Sequence, residues 1–251
     1  MGKAIQEKQP FMAHIGELRK RLIRIFLVLI VLTAVSLYLT PELLKALIAP
    51  YGSQLKVIGP TESVAIYIRI ALMAAAVFCM PYAIFELWGF IAPGLLPKER
   101  SFVYLIIPAA LVLFAAGASF SWFFLIPAAV KFLSNFSPDI FVIEWTSSNY
   151  VPFVTSLVFW IGLCFELPLV AFVLAKMHIV NARLLLKGWR VAMVVVVIAA
   201  SAITPTVDPV NLAAVSIPLA ALYFISIFIA FLAQRERGAR KRSKKPRGIE
   251  A

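Results

Sequence analysis

Charge is what this sequence has least of. Asp, Glu, Lys and Arg make up 14% of its 251 residues and hydrophobic residues 62%, whereas a soluble domain carries about 25% charged residues. A soluble core of this length could not hide so much apolar side chain, which excludes a soluble globular protein and implies a polytopic membrane protein. Cysteine is almost missing. Cys79 and Cys164 both fall inside apolar stretches, so no disulfide framework is implied and both read as small core residues. Histidine is as scarce, and His14 and His178 both lie at ends of apolar spans. HExxH, a nucleophile elbow and a phosphate loop are all missing, so the chain reads as non-enzymatic, with no metal and no cofactor. No repeat of about 20–50 residues and no convincing inverted symmetry is visible, which weighs against a secondary transporter. No small-x-small cleavage site follows the first apolar run, so that run is expected to be retained.

What is present is a series of apolar stretches at 25–40, 64–90, 102–130, 152–175, 191–204 and 211–233. They read as six transmembrane helices, an all-α fold. Twenty of the 24 Lys and Arg residues fall in the N-terminal segment, the 91–101 and 176–190 loops and the tail. By the positive-inside rule both termini are expected in the cytoplasm. The fifth stretch has only 14 residues, about 21 Å of helix against a hydrocarbon layer of about 30 Å. Such a short span is relieved by local bilayer thinning or by neighbouring protein.

Three segments follow: a cytoplasmic amphipathic helix within 1–24, the spanning part at 25–233, and a basic tail at 234–251 expected to be disordered. In the first, Phe11, Ile15, Leu18, Leu22 and Ile25 recur at helical spacing and form one apolar face. His14, Glu17, Arg21 and Arg24 lie opposite, where Glu17 and Arg21, four apart, are spaced for a surface ion pair. Residues 41–48 could form a short separate helix at the outer interface, after Pro41. Glu62 sits in an N-cap triplet, Thr61-Glu62-Ser63, before the second span. The segment 131–151 is too short and polar to span and reads as an outer cap. The basic tail suits topology and anionic lipid, and nucleic-acid binding is not expected.

Glu166 is the sharpest single feature. It is the only acid in the stretch from Pro152 to Ala175, near the middle of its span. A lone carboxylate at that depth costs about 2.5–3.5 kcal/mol on insertion scales. Pro168, two residues on, leaves a carbonyl one turn back without its amide donor, so charge and helix defect fall together. The plain reading is a protonated group bonded to a neighbouring helix; the functional one is a polar site. Glu86 lies four residues from the inner end of its span and could snorkel or pair with a basic loop residue. Arg69 reads as a snorkelling anchor, and Asp208 as a possible cap of the sixth span.

Several stretches, in order, carry a resemblance: His14-Ile15-Gly16-Glu17-Leu18-Arg19-Lys20-Arg21-Leu22; Phe90-Ile91-Ala92-Pro93-Gly94-Leu95 with Lys98-Glu99-Arg100; Gly117-Ala118-Ser119-Phe120; Phe165-Glu166-Leu167-Pro168; and Ile203-Thr204-Pro205 with Asp208. Together they resemble the TatC family, the multi-spanning receptor subunit of the twin-arginine protein translocase, over residues of about 10 to 232. This chain departs from the family pattern at Glu86, usually Gln, at Asn211, often Gln, and at Phe224, commonly Glu.

The resemblance implies a concave six-helix bundle in the bacterial cytoplasmic membrane that binds signal peptides of folded cargo proteins. Its recognition site corresponds to Glu17 and Glu99, with Arg19, Phe90 and Pro93 beside them. It further implies an intramembrane polar site at Glu166, and structural or partner contacts at Pro50, Asp208 and Pro168. The implied partners are TatB-like and TatA-like single-span subunits and membrane lipids, in a homo-oligomer within a complex driven by the proton-motive force. The chemistry is consistent, since guanidinium pairs with carboxylates in a fork that Lys reproduces poorly. Two rival readings of the sequence are a proton-coupled small-solute transporter using Glu166, and a passive scaffold in which Glu166 is freely replaceable.

Overall fold

A computed structural model describes residues 11–91, 103–136, 144–177, 179–204 and 208–243. Pro93 and Glu99 fall outside them. The described residues form helices α1 (Phe11–Ile48), α2 (Glu62–Ile91), α3 (Val103–Phe120), α4 (Ile126–Ser134), α5 (Ser147–Cys164), α6 (Leu167–Lys176), α7 (Ala182–Lys187), α8 (Trp189–Ile203) and α9 (Pro209–Ser243). A π-helical turn, Ser121–Leu125, joins α3 to α4. Among the described residues five helical stretches are long and apolar enough to cross a membrane: 15–48, 62–87, 106–134, 147–176 and 209–234. The 15-residue α8 is the short apolar one between the fourth and the fifth of them.

Three features differ from the sequence expectation. The amphipathic helix, first span and short outer helix are one continuous helix of 38 residues, with Pro41 inside it. Proline removes one bond and crowds the carbonyl four residues back. Here packing outweighs that loss: Leu43, Leu44 and Leu47 lie against the main core, and the Tyr150 hydroxyl donates to the Leu47 carbonyl at 3.0 Å. The third span is interrupted by the π turn, an insertion that sequence periodicity does not reveal. The last helix continues to Ser243, into the tail where no regular structure was expected. Extending an existing helix needs no new nucleus, and Gln, Arg, Glu and Lys are good helix formers.

α1 and α2 run antiparallel and make the most extensive helix–helix contact. Small side chains allow this: Ser36 and Thr40 of α1, and Ala71 and Ala75 of α2, are buried. The main core gathers around α5, where Tyr150, Phe153, Val154, Leu157 and Ile161 are almost wholly enclosed. A second cluster, Ile84, Ile106, Ala110, Leu169 and Val173, lies toward the end of the bundle that carries the N-terminus.

The opposite end is tied by loops. Lys56 N donates to the Trp145 carbonyl at 3.1 Å and Ser147 N to the Lys56 carbonyl at 2.9 Å. Lys56 also pairs with Glu144. Glu62, the first residue of α2, accepts bonds from the amides of Ile58, Gly59 and Ser148 at 2.8, 3.1 and 2.7 Å. One side chain therefore ties the turn before α2 and the first turn of α5 to the start of α2.

Candidate functional site

At the N-terminal end of the bundle, helical spacing sets four charges together. Glu17, Arg21 and Arg24 share one face of α1, and Tyr82 and Glu86 stand one turn apart on α2. Arg21 joins the two helices. Its Nε and Nη2 donate to Oε1 of Glu17 at 3.1 and 2.6 Å. Its Nη1 donates to Oε2 of Glu86 at 3.0 Å and to the Glu86 carbonyl at 3.3 Å. Oε1 of Glu86 takes Nη1 of Arg24 at 2.8 Å and the Tyr82 hydroxyl at 2.8 Å. Gly89, one turn beyond Glu86, leaves the space in which the guanidinium lies, because a Cβ there would run into Nη1 of Arg21.

Exposure separates the two acids. The Glu86 side chain is 2% exposed, while that of Glu17 is 31% exposed. A buried carboxylate is tolerated only when counter-charges and hydrogen bonds surround it, and Glu86 has both. Glu17 instead presents a partly open carboxylate that Arg21 holds in place. Such a group can receive a cation from solvent.

Glu166 sits between α5 and α6. The chain tightens there: Phe165 N bonds the Ile161 carbonyl at 3.0 Å and Glu166 N reaches the Leu163 carbonyl at 3.1 Å. α6 then restarts with Pro168 in its first turn, where a missing amide costs least. The Glu166 side chain is half-buried, and its Oε1 is buried with no hydrogen-bond partner among the described residues. The segment is pinned by a close crossing of α3 and α5. A Cβ on Gly117 would meet Phe165 at 2.7 Å and the Gly162 backbone at 2.9 Å, and one on Gly162 would meet Phe114 at 2.7 Å. Phe165 also lies against Phe120, with ring centroids 5.8 Å apart.

Other expected site residues scatter. Arg19 is exposed on α1 and Phe90 is half-buried near the end of α2. Pro50 is half-buried in the turn after α1, and Pro168 is buried. Asp208 caps α9: Oδ1 accepts the Asn211 amide at 2.7 Å and Oδ2 the Asn211 side chain at 3.0 Å. Among the described residues no three of His, Cys, Asp and Glu come together as metal ligands would. Tyr82, Gly89 and Gly162 went unnoticed in the sequence. The spacing of Tyr82 to Glu86 was the available signal; that of a glycine to a distant arginine was not.

Residues 13–218 match the family model described as Sec-independent protein translocase protein (TatC). A TatC of Carboxydothermus hydrogenoformans is 34% identical over 233 residues, 91% of this chain and 96% of the relative. A TatC of Helicobacter pylori is 33% identical over 217 residues, 86% of this chain and 87% of the relative. A crystal structure of the twin-arginine translocase receptor TatC superposes with a TM-score of 0.82 at 30% identity, covering 88% of this chain and all of that one.

Proposed function

The chain belongs to the TatC family of Sec-independent protein translocase proteins, and on that premise we propose that it binds twin-arginine signal peptides at the end carrying Glu17. It is a membrane protein and a receptor subunit of the Tat translocase by family. In this reading the Glu17 end faces the bacterial cytoplasm, which the bias of basic residues supports. The same reading puts both termini in the cytoplasm and the spanning helices in the inner membrane.

The observation that carries the proposal is the half-open carboxylate of Glu17, which Arg21 contacts through Oε1 alone, beside a buried, charge-paired Glu86. A carboxylate held at this interface selects guanidinium over ammonium because two parallel bonds need a planar fork. Glu99, with Arg19, Phe90 and Pro93, completes the proposed recognition surface. Glu166, whose buried oxygen has no described donor, is the proposed polar site for the inserted peptide or a polar residue of a single-span partner. Pro50, Pro168 and Asp208 are the proposed structural or partner contacts. TatB-like and TatA-like subunits, further copies of this chain and the proton-motive force complete the export machinery in this proposal. No catalytic step is assigned.

The test is capture of a signal peptide by membranes containing the chain. An Arg-Arg peptide should be retained and a Lys-Lys peptide lost, with single-span partners copurifying. Equal capture of both peptides would remove the recognition site. Uptake of a small solute by liposomes holding this chain alone, driven by a pH gradient, would favour the transporter alternative instead.

A further inference from the structure

The carboxylate proposed to receive a peptide guanidinium already holds one. Arg21 places Nε and Nη2 on a single oxygen of Glu17, while its third nitrogen, Nη1, is on Glu86. It is thus shared between a half-open acid and a buried one. An arriving arginine whose fork spans both oxygens of Glu17 competes with this resident for Oε1, and the resident yields most readily if its charge stays paired.

Glu86 supplies that pairing. Its Oε2 and its own carbonyl both already accept from Arg21, so the guanidinium can leave Glu17 without leaving a carboxylate. Arg24 and Tyr82 occupy the other oxygen and hold the Glu86 carboxylate still. Gly89 leaves the space over the α2 backbone that the Arg21 head occupies. Two acids and two arginines also leave the cluster without net charge, so an incoming cation meets no repulsion from it. An uncharged Gln at position 86 would still accept a bond from Arg21 but would leave its charge unpaired there.

We propose that Glu86 is a positioning residue for recognition, drawing Arg21 away from Glu17 as a peptide arginine takes that carboxylate. The inference rests on the reading that Glu17 is the peptide's acceptor. It makes Arg21 an internal competitor and Glu86 the group that sets how firmly that competitor is held in reserve.

The test titrates a fluorescent Arg-Arg signal peptide, with a Lys-Lys control, onto the full chain in lipid nanodiscs, and follows thermal unfolding of each variant. Glu86→Gln should weaken Arg-Arg binding about tenfold, equivalent to ~1.4 kcal/mol. Adding Arg21→Gln to that variant removes the competitor and should restore binding to within about threefold of wild type, the scale of less than one charge-assisted bond. Arg21→Gln alone should bind at least as tightly as wild type. A purely structural role for the cluster gives the opposite order, with the double variant no better than Glu86→Gln. That result, or an unchanged affinity in Glu86→Gln, overturns the inference. Glu17→Gln separates the two levels. If it loses binding while Glu86→Gln does not, the recognition reading stands and only the exchange falls; if it keeps wild-type affinity, both fall.

Discussion

Glu86 is enclosed with two arginines and a tyrosine hydroxyl around its carboxylate, whereas Glu166 is half-buried with an oxygen that no described donor reaches. Both acids lie within apolar stretches, and the difference between them is one of compensation. At Glu86 the counter-charges come from α1, and the ionised group helps join two helices. At Glu166 no described donor offsets the buried Oε1, so the fold of the described residues carries a penalty there. The first arrangement is built to hold a charge, the second to wait for a partner. Stability and function should therefore respond in opposite senses at the two sites.

The largest effect is expected from stripping the compensation. Arg21→Ala with Arg24→Ala leaves Glu86 buried with Tyr82 alone and should cost about 3–5 kcal/mol. Thermal unfolding of the purified chain in detergent reads this out, and a loss of under about 1 kcal/mol, the scale of an exposed pair, would erase the contrast. A smaller loss is expected where the Glu166 segment is pinned. Gly162→Leu drives a side chain into Phe114 and should destabilise by about 1–3 kcal/mol, with the same measurement as check.

The sign should reverse at Glu166 itself. Glu166→Leu removes a buried oxygen without a described partner and should stabilise the chain by about 1–2 kcal/mol, while export of a twin-arginine reporter falls. Glu166→Gln, which keeps hydrogen-bonding capacity, should retain more export. Full export by the Leu variant would reduce Glu166 to a replaceable core residue. The smallest change belongs to a group outside both sites. Asp208→Ala removes the cap of α9 and should cost about 1 kcal/mol, with little change in peptide binding.

Much of this architecture was legible in the chain. Apolar length and composition gave the spans and the short fifth helix, because both depend only on local sequence. The sites were legible in part. Glu166 declares itself by being a lone acid in an apolar stretch, and the spacing of Glu17 and Arg21 forecasts their pair. The partner of Glu86 was not legible. A carboxylate near a span end can snorkel or pair, and the choice depends on an antiparallel register between α1 and α2 that no local pattern encodes. The same holds for the Gly117–Gly162 crossing. Pro41 misled for a related reason: its local rule ends a helix, and contacts from Leu43, Leu44 and Leu47 overrule it.

The division of labour between the two acidic sites is tested most directly by crosslinking. A photo-reactive Arg-Arg signal peptide is added to membranes carrying the wild-type chain, Glu17→Ala or Glu166→Ala, and the adduct is quantified. Glu17→Ala should lower the adduct about tenfold or more, as loss of a charge-assisted pair requires, while Glu166→Ala keeps it near the wild-type level. An adduct undiminished in Glu17→Ala, or lost equally in both variants, would contradict the assignment of peptide recognition to the charged end.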